Sequence, residues 1–485
     1  MNLKMVSRYL GYLLFAEGIF LLLPVLVTVL YQQWELLPAF LLAIAVAALL
    51  GGALYVPFRK QDQALYSRES FVVAGLGWVL LSAVGALPFC ISGEIPHFID
   101  AFFETVSGFT TTGSSILRDV EALSEGLMFW RSFTHWLGGM GILVFILAVV
   151  QNREGAGFTL QLLKAESPGP QVGKIVPKTK DSAKTLYLIY VGISIINLMF
   201  LLLGRMPLFE ALCTMFGTAG TGGFGIKADS MLSYSPYLQN VTTIFMAIFG
   251  VNFSLYYLLL RGFWKEVAKD QELRLYLAIM IGAIGMICLS LWRQGGAAGK
   301  ESVAHVAFTV SSVMTTTGYS TVDFDLWPQF AKTMLLILML FGSMAGSTAG
   351  GFKISRVLIV FKNIKAGLHR LMHPRSIKAI QLNGKPLDAE VLRGVNLFLA
   401  LYCLILLLTF LLISLDNFSM GTNLSAAISC FNNIGPGLEQ VGPSLSFAEY
   451  SHGSKLVLSF AMLFGRLEIF PMLFLFFPST WKKRA

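Results

Sequence analysis

Charged residues are scarce in this sequence. Asp, Glu, Lys and Arg make up 13% of its 485 residues, whereas soluble domains contain roughly 25%. Hydrophobic residues make up 55% and recur in long runs, and a run of about 20 can cross the ~30 Å hydrocarbon core of a bilayer. This composition excludes an ordinary soluble domain. The net charge of +9 then points to basic cytoplasmic segments, and we expect no nucleic-acid partner.

Catalytic and metal-binding motifs are also missing. The five cysteines are scattered in apolar surroundings without CxxC spacing, which is typical of buried, inert thiols. The sequence contains no Walker A motif, no GxGxxG after a strand and no HExxH. We therefore expect neither an enzyme nor a covalently bound cofactor. Any effect of a nucleotide would come through a partner protein.

Ten hydrophobic spans fit the sequence. Most of the 36 Lys and Arg residues fall on segments that share one side of the membrane with the N-terminus, which predicts that both termini are cytoplasmic. The first run is too long for a signal-peptide core, and no small-residue cleavage site follows it. The approximate boundaries are 8–31, 34–57, 71–92, 126–151, 183–204, 236–261, 274–293, 327–362, 393–414 and 453–478.

Four segments on the opposite side differ from ordinary loops. After spans three, five, seven and nine comes an apolar stretch that is too short to cross and ends in a turn centred on glycine. Each unit of span, half-helix, turn and span contains an even number of crossings, so the copies share one orientation and can surround one axis through the membrane. The aligned glycines are Gly113, Gly223, Gly318 and Gly435.

The glycine turns suit the binding of a cation. Backbone at membrane depth is costly unless protein or a water-filled cavity satisfies it, and a ring of carbonyl oxygens can replace the hydration shell of an ion. Glycine reaches positive φ and lets the backbone approach the axis, and threonine adds a hydroxyl acceptor without charge. The predicted ion-binding residues are Thr111, Thr112, Gly113, Thr221, Gly222, Gly223, Thr316, Thr317, Gly318, Asn433, Ile434 and Gly435.

These motifs resemble the Trk/Ktr/HKT superfamily of potassium transporters, and specifically its TrkH branch. The resemblance covers essentially the whole chain and includes the two N-terminal spans and the turns of the first, third and fourth repeats. It is also carried by Trp136-Leu137-Gly138-Gly139-Met140-Gly141, Gly346-Ser347-Thr348-Ala349-Gly350-Gly351-Phe352-Lys353, His373-Pro374-Arg375 and the highly specific Phe464-Gly465-Arg466-Leu467-Glu468-Ile469-Phe470.

The resemblance implies an all-α polytopic membrane protein with four parallel repeats around a pseudo-fourfold pore, preceded by two extra transmembrane helices. It implies potassium uptake across a bacterial cytoplasmic membrane, a homodimer, and gating by a cytosolic nucleotide-binding subunit of the TrkA kind. In plant relatives, serine in place of the first-repeat glycine accompanies sodium permeation, so Gly113 favours potassium. The predicted units are 1–60 for the N-terminal pair, then 61–152, 153–262, 263–375 and 376–485 for the repeats.

The span at 327–362 is expected to be broken in its middle. Gly342, Gly346, Gly350 and Gly351 alternate there with serine and threonine, and each glycine inside a helix costs roughly 1 kcal/mol relative to alanine. The spacing alone also fits a small-xxx-small packing face between helices. The resemblance implies an intramembrane loop beneath the filter that acts as a gate, formed by Gly346, Ser347, Thr348, Gly350, Gly351, Lys353 and Arg466.

Basic residues within the spans need an explanation. We expect Arg131 and Arg356 to lie near the interfaces, with their side chains snorkelling to water. Arg466 lies about halfway along the last span, where a charge costs roughly 2.5–3.5 kcal/mol, so it should face the pore or a carboxylate. Glu468 is two residues away and a poor partner for it. The basic segment 362–393 could contact anionic lipid headgroups, and the resemblance implies that it faces the cytosolic partner.

Two alternatives stay open at this point. An alternating-access transporter of a small solute would need charged groups in a cavity at the membrane midplane, and the four parallel turns argue against it. A sodium-permeable cation conduit would use the same turns with different selectivity.

Overall fold

The protein is helical almost throughout. The computed structural model describes residues 1–59, 67–141, 179–294, 302–374 and 379–482. Within those residues the strand content is one short antiparallel pair, β1 (Gln381–Leu382) and β2 (Lys385–Pro386). Helices are expected for spanning segments because they satisfy every backbone polar group internally.

Two helical segments precede the repeated part of the chain. The first consists of α1 (Leu3–Phe20) and α2 (Leu22–Leu30), and the second is α3 (Leu37–Tyr55). Helices α1 and α3 pack against each other, and α1 also packs against the first helix of the next unit. These segments therefore form a separate pair on the side of the first repeat.

Each of the four repeats contains an outer helix, a short pore helix, a turn and an inner helix. The first repeat consists of α4 (Ser67–Gly85), α5 (Leu87–Ser92), pore helix α6 (Phe98–Phe109) and α7 (Glu125–Gly139). The second consists of α8 (Thr179–Leu203), pore helix α9 (Leu208–Gly220), α10 (Pro236–Phe249) and α11 (Phe253–Leu260), followed by the short α12 (Trp264–Lys269).

The third repeat contains α13 (Gln271–Gln294), pore helix α14 (Val303–Met314), α15 (Gln329–Leu340) and α16 (Ile354–Met372). The fourth contains α17 (Ala389–Ile413), pore helix α18 (Met420–Asn432), α19 (His452–Arg466), α20 (Phe470–Phe476) and α21 (Pro478–Trp481). The pore helices have 12, 13, 12 and 13 residues. At 1.5 Å per residue they are about 18–20 Å long, too short to cross a bilayer.

Three inner helices are interrupted, and the sequence predicted only one of these interruptions. Six described segments are long and apolar enough to cross a membrane, and α10 with α11 makes a seventh if this pair, bent by 92°, is one span. The predicted span 236–261 therefore consists of two helices with a sharp bend between them. Asn252 explains the bend, because its side chain accepts the Ser254 N–H at 2.9 Å and so starts a new helix.

The last inner helix is also broken, so the predicted span 453–478 is not continuous. Glu468 and Ile469 lie between α19 and α20 with φ of 56° and 69°. Positive φ is unfavourable for residues with a Cβ, most of all for β-branched ones. Such conformations persist where surrounding contacts fix them. The predicted break in span 327–362 is present, because residues 341–353 separate α15 from α16.

Aromatic side chains fill the space between the first two repeats. Phe109 at the end of pore helix α6 packs edge-on against Trp130 of α7, with ring centroids 5.9 Å apart. Trp130 also donates to the Gly85 carbonyl at 3.0 Å. Phe129 packs edge-on against Phe216 of pore helix α9. The core thus fixes the two pore helices relative to the first inner helix.

Glu17 of α1 is an unusual member of this core. Its side chain is 2% exposed, and neither carboxylate oxygen has a hydrogen-bond partner among the described residues. We expect Glu17→Met to stabilise the protein by about 1–3 kcal/mol, because it removes an unsatisfied buried polar group while keeping a long side chain. The unfolding midpoint in detergent measures this, and exposed Glu35→Met is the control. A lowered midpoint for Glu17→Met would mean that the carboxyl group is stabilising.

Candidate ion-conduction site

The four glycine turns form a closed ring. The closeness of neighbouring turns is measured by the distance from a methyl group built on each filter glycine to the nearest backbone atom. A methyl group on Gly113 would lie 2.0 Å from the Gly222 carbonyl oxygen, and one on Gly223 would lie 1.8 Å from the Thr317 carbonyl oxygen. A methyl group on Gly318 would lie 2.2 Å from the Ile434 carbonyl oxygen, and one on Gly435 would lie 2.9 Å from the Thr112 carbonyl oxygen. Each turn therefore touches the next in chain order, and the fourth touches the first. This close approach leaves no room for a side chain at the four positions.

The same local geometry ends every pore helix. Thr111, Thr221, Thr316 and Asn433 have φ between 54° and 57°, and the glycines two residues later have φ of 83°, 71°, 88° and 110°. The residue between them donates its N–H to the carbonyl five residues back, as in a Schellman motif. These bonds join Thr112 to Ser107, Gly222 to Gly217, Thr317 to Ser312 and Ile434 to Ser429, at 2.8–3.0 Å.

The ring is polar but uncharged. Its threonine and asparagine side chains are fully buried. Thr110 and Thr112 share a hydroxyl hydrogen bond of 2.7 Å, and Thr315 and Thr317 share one of 2.8 Å. Four pore helices also direct their C-terminal ends, which carry partial negative charge, to this region. The backbone oxygens and the helix ends together favour binding of a cation, and they do so without any carboxylate ligand.

No cluster of charged ligands competes with the ring. The described residues contain no group of three or more His, Cys, Asp or Glu that could hold a metal ion. The predicted filter residues are the ones that the structure brings together at the ring. Oxygen ligands of this kind suit a weakly hydrated monovalent cation.

Residues 341–353 form a loop that packs directly against the ring. Thr316 accepts the Gly350 N–H through its hydroxyl at 2.8 Å, and a methyl group on Gly350 would lie 2.5 Å from the Asn432 carbonyl oxygen. The Phe253 N–H donates to the Gly346 carbonyl at 3.0 Å. The loop therefore contacts the ends of two pore helices and the bend of the second repeat.

Two basic side chains, Arg466 and Lys353, hold this loop. Arg466 donates to the Thr348 carbonyl at 2.6 Å and also to the carbonyls of Gly138 and Gly139, at 2.5 and 2.7 Å. Lys353 donates to the Ala349 carbonyl. The predicted gate residues therefore lie together, with Arg466 linking the loop to the end of α7.

Glu272 of α13 is a residue of this region that the sequence did not single out. Its Oε1 accepts the N–H groups of Ala345 and Ser355, at 2.7 and 3.0 Å. It therefore anchors one side of the loop and the start of α16. A carboxylate at the beginning of an apolar span was the available signal, because ionisable groups in spans need a stated partner.

The snorkelling predicted for Arg131 and Arg356 is wrong. Arg131 is 3% exposed and donates to Glu104 at 2.6 Å. Arg356 is 5% exposed and makes two bonds to Glu468, at 3.1 and 2.5 Å. Acidic partners, buried Glu104 and partly buried Glu468, offset the desolvation that snorkelling would avoid. Glu468 was correctly judged a poor partner for Arg466.

The Glu104–Arg131 pair also holds the segments that leave the first two turns. Glu104 accepts the Ser115 hydroxyl and the Ile116 N–H, both at 2.9 Å, and Arg131 donates to the Gly225 carbonyl at 3.0 Å. The pair lies behind the ring and connects two repeats. Arg375 and the basic positions between 142 and 178 lie outside the described residues.

The chain is similar to cation transport proteins along nearly its whole length. Residues 36–483 match the TrkH family, described as cation transport protein. The chain is 35% identical to the Trk system potassium uptake protein TrkH of Salmonella typhimurium, with 100% of both chains covered. It is 32% identical to the Trk system potassium uptake protein TrkG of Escherichia coli, with 99% of both covered.

A solved structure has the same architecture. The crystal structure of the potassium transporter TrkH from Vibrio parahaemolyticus superposes with a TM-score of 0.88 at 31% sequence identity, covering 99% of this chain and 100% of that one. The predicted fold class, an all-α membrane protein with four repeats and two extra N-terminal helices, is confirmed. The exact repeat boundaries stay predictions.

Proposed function

The chain belongs to the TrkH family of cation transport proteins and is a multi-pass membrane protein for potassium uptake, and we propose that potassium passes through the ring formed by its four glycine turns. The observation that carries the proposal is the closure of the ring, in which each turn contacts the next and the last contacts the first. The proposed ion-binding residues are twelve in number: Thr111 to Gly113 of the first turn and the three corresponding residues of each of the other three turns.

Liposome flux tests the proposed path. Purified protein reconstituted with a potassium gradient should release potassium faster than empty liposomes do, and faster than it passes sodium under the same gradient. A carbonyl ring that matches potassium gives this order because it replaces the hydration shell without cost to that ion. Flux that needs an organic solute would favour an alternating-access transporter, and equal potassium and sodium flux would favour a non-selective conduit.

The loop at residues 341–353 is proposed as the gate. Its base is paired, because the Gly342 N–H donates to the Phe352 carbonyl and the Ile354 N–H donates to the Ser343 carbonyl, at 2.9 and 3.1 Å. Its tip contacts Thr316 and Arg466. Removing the tip can therefore open the space beneath the ring while the base remains.

Deletion of residues 345–349 should raise potassium flux per folded protein severalfold. The deletion removes the carbonyl of Thr348 that Arg466 contacts and leaves the paired base in place. Thr333→Ala is the control, because the exposed Thr333 hydroxyl donates to the Gln329 carbonyl within α15, outside the loop, and flux should not change. A well-folded deletion variant with flux at or below that of the wild type would argue against a gate, and loss of folded yield would favour a helix-packing role.

The partners are proposed from the family and from the exposed part of α16. The relatives are named as parts of a Trk system, and we expect a homodimer regulated by a cytosolic nucleotide-binding subunit of the TrkA kind in a bacterial cytoplasmic membrane, with both termini cytoplasmic. Helix α16 exposes apolar side chains, namely Phe361, Ile364, Leu368, Leu371 and Met372. A surface of this kind suits contact with protein or lipid.

A further inference from the structure

The second filter turn is held by side chains of both neighbouring repeats. We propose that His135 and Tyr319, which contact the backbone of Phe224 from opposite neighbours, are positioning residues that set the preference of the ring for potassium over sodium. The inference rests on the proposed function of the ring as an ion filter. It adds two residues to the twelve proposed ion-binding residues.

A serine holds the turn in two other repeats. Six residues before the filter glycine, Ser312 donates its hydroxyl to the Tyr319 carbonyl at 2.6 Å, and Ser429 donates to the Gly435 carbonyl at 2.8 Å. The corresponding residue of the first repeat is Ser107, whose buried hydroxyl has no hydrogen-bond partner among the described residues. In the second repeat the position is Gly217, which has no hydroxyl to donate. The second turn therefore lacks the serine donor that the third and fourth turns have.

Tyr319 occupies the space that Gly217 leaves. A methyl group built on Gly217 would lie 2.2 Å from the Tyr319 hydroxyl oxygen. That hydroxyl lies 3.3 Å from the Thr214 carbonyl oxygen and 3.5 Å from the Phe224 carbonyl oxygen. Phe224 follows its filter glycine as Tyr319 follows Gly318, so a hydroxyl of the third repeat reaches the carbonyl that a serine reaches elsewhere.

His135 contacts the same residue from the first repeat. Its Nδ1 lies 2.7 Å from the Gly108 carbonyl oxygen, and its Nε2 accepts the Phe224 N–H at 3.2 Å. Because a carbonyl oxygen only accepts, Nδ1 carries the proton and Nε2 is free to accept, which assigns a neutral imidazole. The imidazole ring packs against the Phe224 ring, with centroids 4.1 Å apart. A methyl group on Gly222 would lie 2.4 Å from the Cγ of His135.

The bond from Phe224 to His135 determines where a filter carbonyl points. The Phe224 N–H and the Gly223 C=O belong to one planar trans peptide, so they point in opposite directions. With the N–H directed at His135, the Gly223 carbonyl is directed away from it. Losing the acceptor would free this peptide to rotate and would change an ion-facing oxygen of the ring.

The test is the potassium-to-sodium permeability ratio of reconstituted variants. His135→Phe keeps an aromatic ring but removes the acceptor, and should lower the ratio about tenfold. His135→Gln offers a carbonyl acceptor on a side chain long enough to reach Phe224 and should restore much of the ratio, whereas shorter His135→Asn should not. His305→Phe makes the same ring exchange near the start of pore helix α14, where His305 contacts Thr321, and should leave the ratio unchanged.

The role of Tyr319 is tested by a separate set of variants. Tyr319→Phe should lower the ratio severalfold, and Gly217→Ser alone should lower it because the new side chain overlaps the tyrosine hydroxyl. The double variant Gly217→Ser/Tyr319→Phe moves the hydroxyl to the position that serine has in the other repeats. Its potassium-to-sodium permeability ratio should be higher than that of Gly217→Ser alone. A double variant no better than Gly217→Ser would remove Tyr319 from the proposal.

The outcomes separate the inference from the function on which it rests. Absence of potassium flux through wild-type protein would overturn the proposed function itself. Selective wild-type protein together with an unchanged ratio in folded His135→Phe would overturn only the role of His135. If His135→Phe does not fold, equal potassium-to-sodium permeability ratios for His135→Gln and His135→Asn would overturn the role of His135.

Discussion

Arg466→Gln should raise potassium flux per folded protein about tenfold or more. At an effective dielectric constant of about 20, a fixed positive charge opposes a cation that passes at a distance of ~8 Å by about 2 kcal/mol. Arg466 also donates to the carbonyl of Thr348 in the loop and to those of Gly138 and Gly139 at the end of α7. Neutralising it removes the barrier and the link between the loop and α7 together.

Arg466→Lys separates the two contributions. Lysine keeps the charge but replaces the five donors of the planar guanidinium with a single ammonium group. If the bonds to the loop dominate, both variants should raise flux; if the charge dominates, only Arg466→Gln should. Liposome flux normalised to monodisperse protein is the measurement. Well-folded Arg466→Gln with flux at or below that of the wild type would refute both contributions, and an unfolded variant would point to a structural role.

Gly113→Ser should lower the potassium-to-sodium permeability ratio about tenfold, a change of about 1.4 kcal/mol. Gly113 has φ of 83°, and its Cβ would lie 2.0 Å from the Gly222 carbonyl oxygen. Because that neighbour is backbone, it must move, and it belongs to the proposed ring. The serine therefore changes the first and second turns at once.

Gly93 provides the matched control for Gly113. It also has φ of 83°, and a methyl group on it would meet nothing within 4 Å. Gly93→Ser thus introduces the same backbone strain without the clash, and should leave the permeability ratio unchanged. An unchanged ratio in folded Gly113→Ser would remove Gly113 from the filter.

The four turns were predictable from glycines at recurring positions, whereas the loop was predicted from the family resemblance, because its glycine spacing alone also fitted a packing face between helices. A turn at positive φ that approaches another backbone can use few other residues, so the requirement is visible in the sequence. The two N-terminal helices and the short pore helices were likewise predictable from the lengths of the apolar runs.

The partners of the acidic side chains were not predictable in the same way. Glu104, Glu272 and Glu468 find their partners 27, 73 and 112 residues away, and no local period signals such a pairing. Arg131 and Arg356 were therefore assigned to the interfaces when they lie buried in ion pairs. The bend after α10 could have been predicted from Gly250 and Asn252, a glycine followed by a residue that starts helices.

The contact between the last and first turns also bears on how the protein is made. Asn433 donates to the Thr112 hydroxyl and Ser114 donates to the Gly435 carbonyl, both at 2.9 Å and across 321 residues. A growing chain on the ribosome lacks this fourth quarter until synthesis is almost finished. A partly synthesised or prematurely terminated chain therefore cannot close the filter. The ring of turns is complete only when the fourth turn has been translated and inserted.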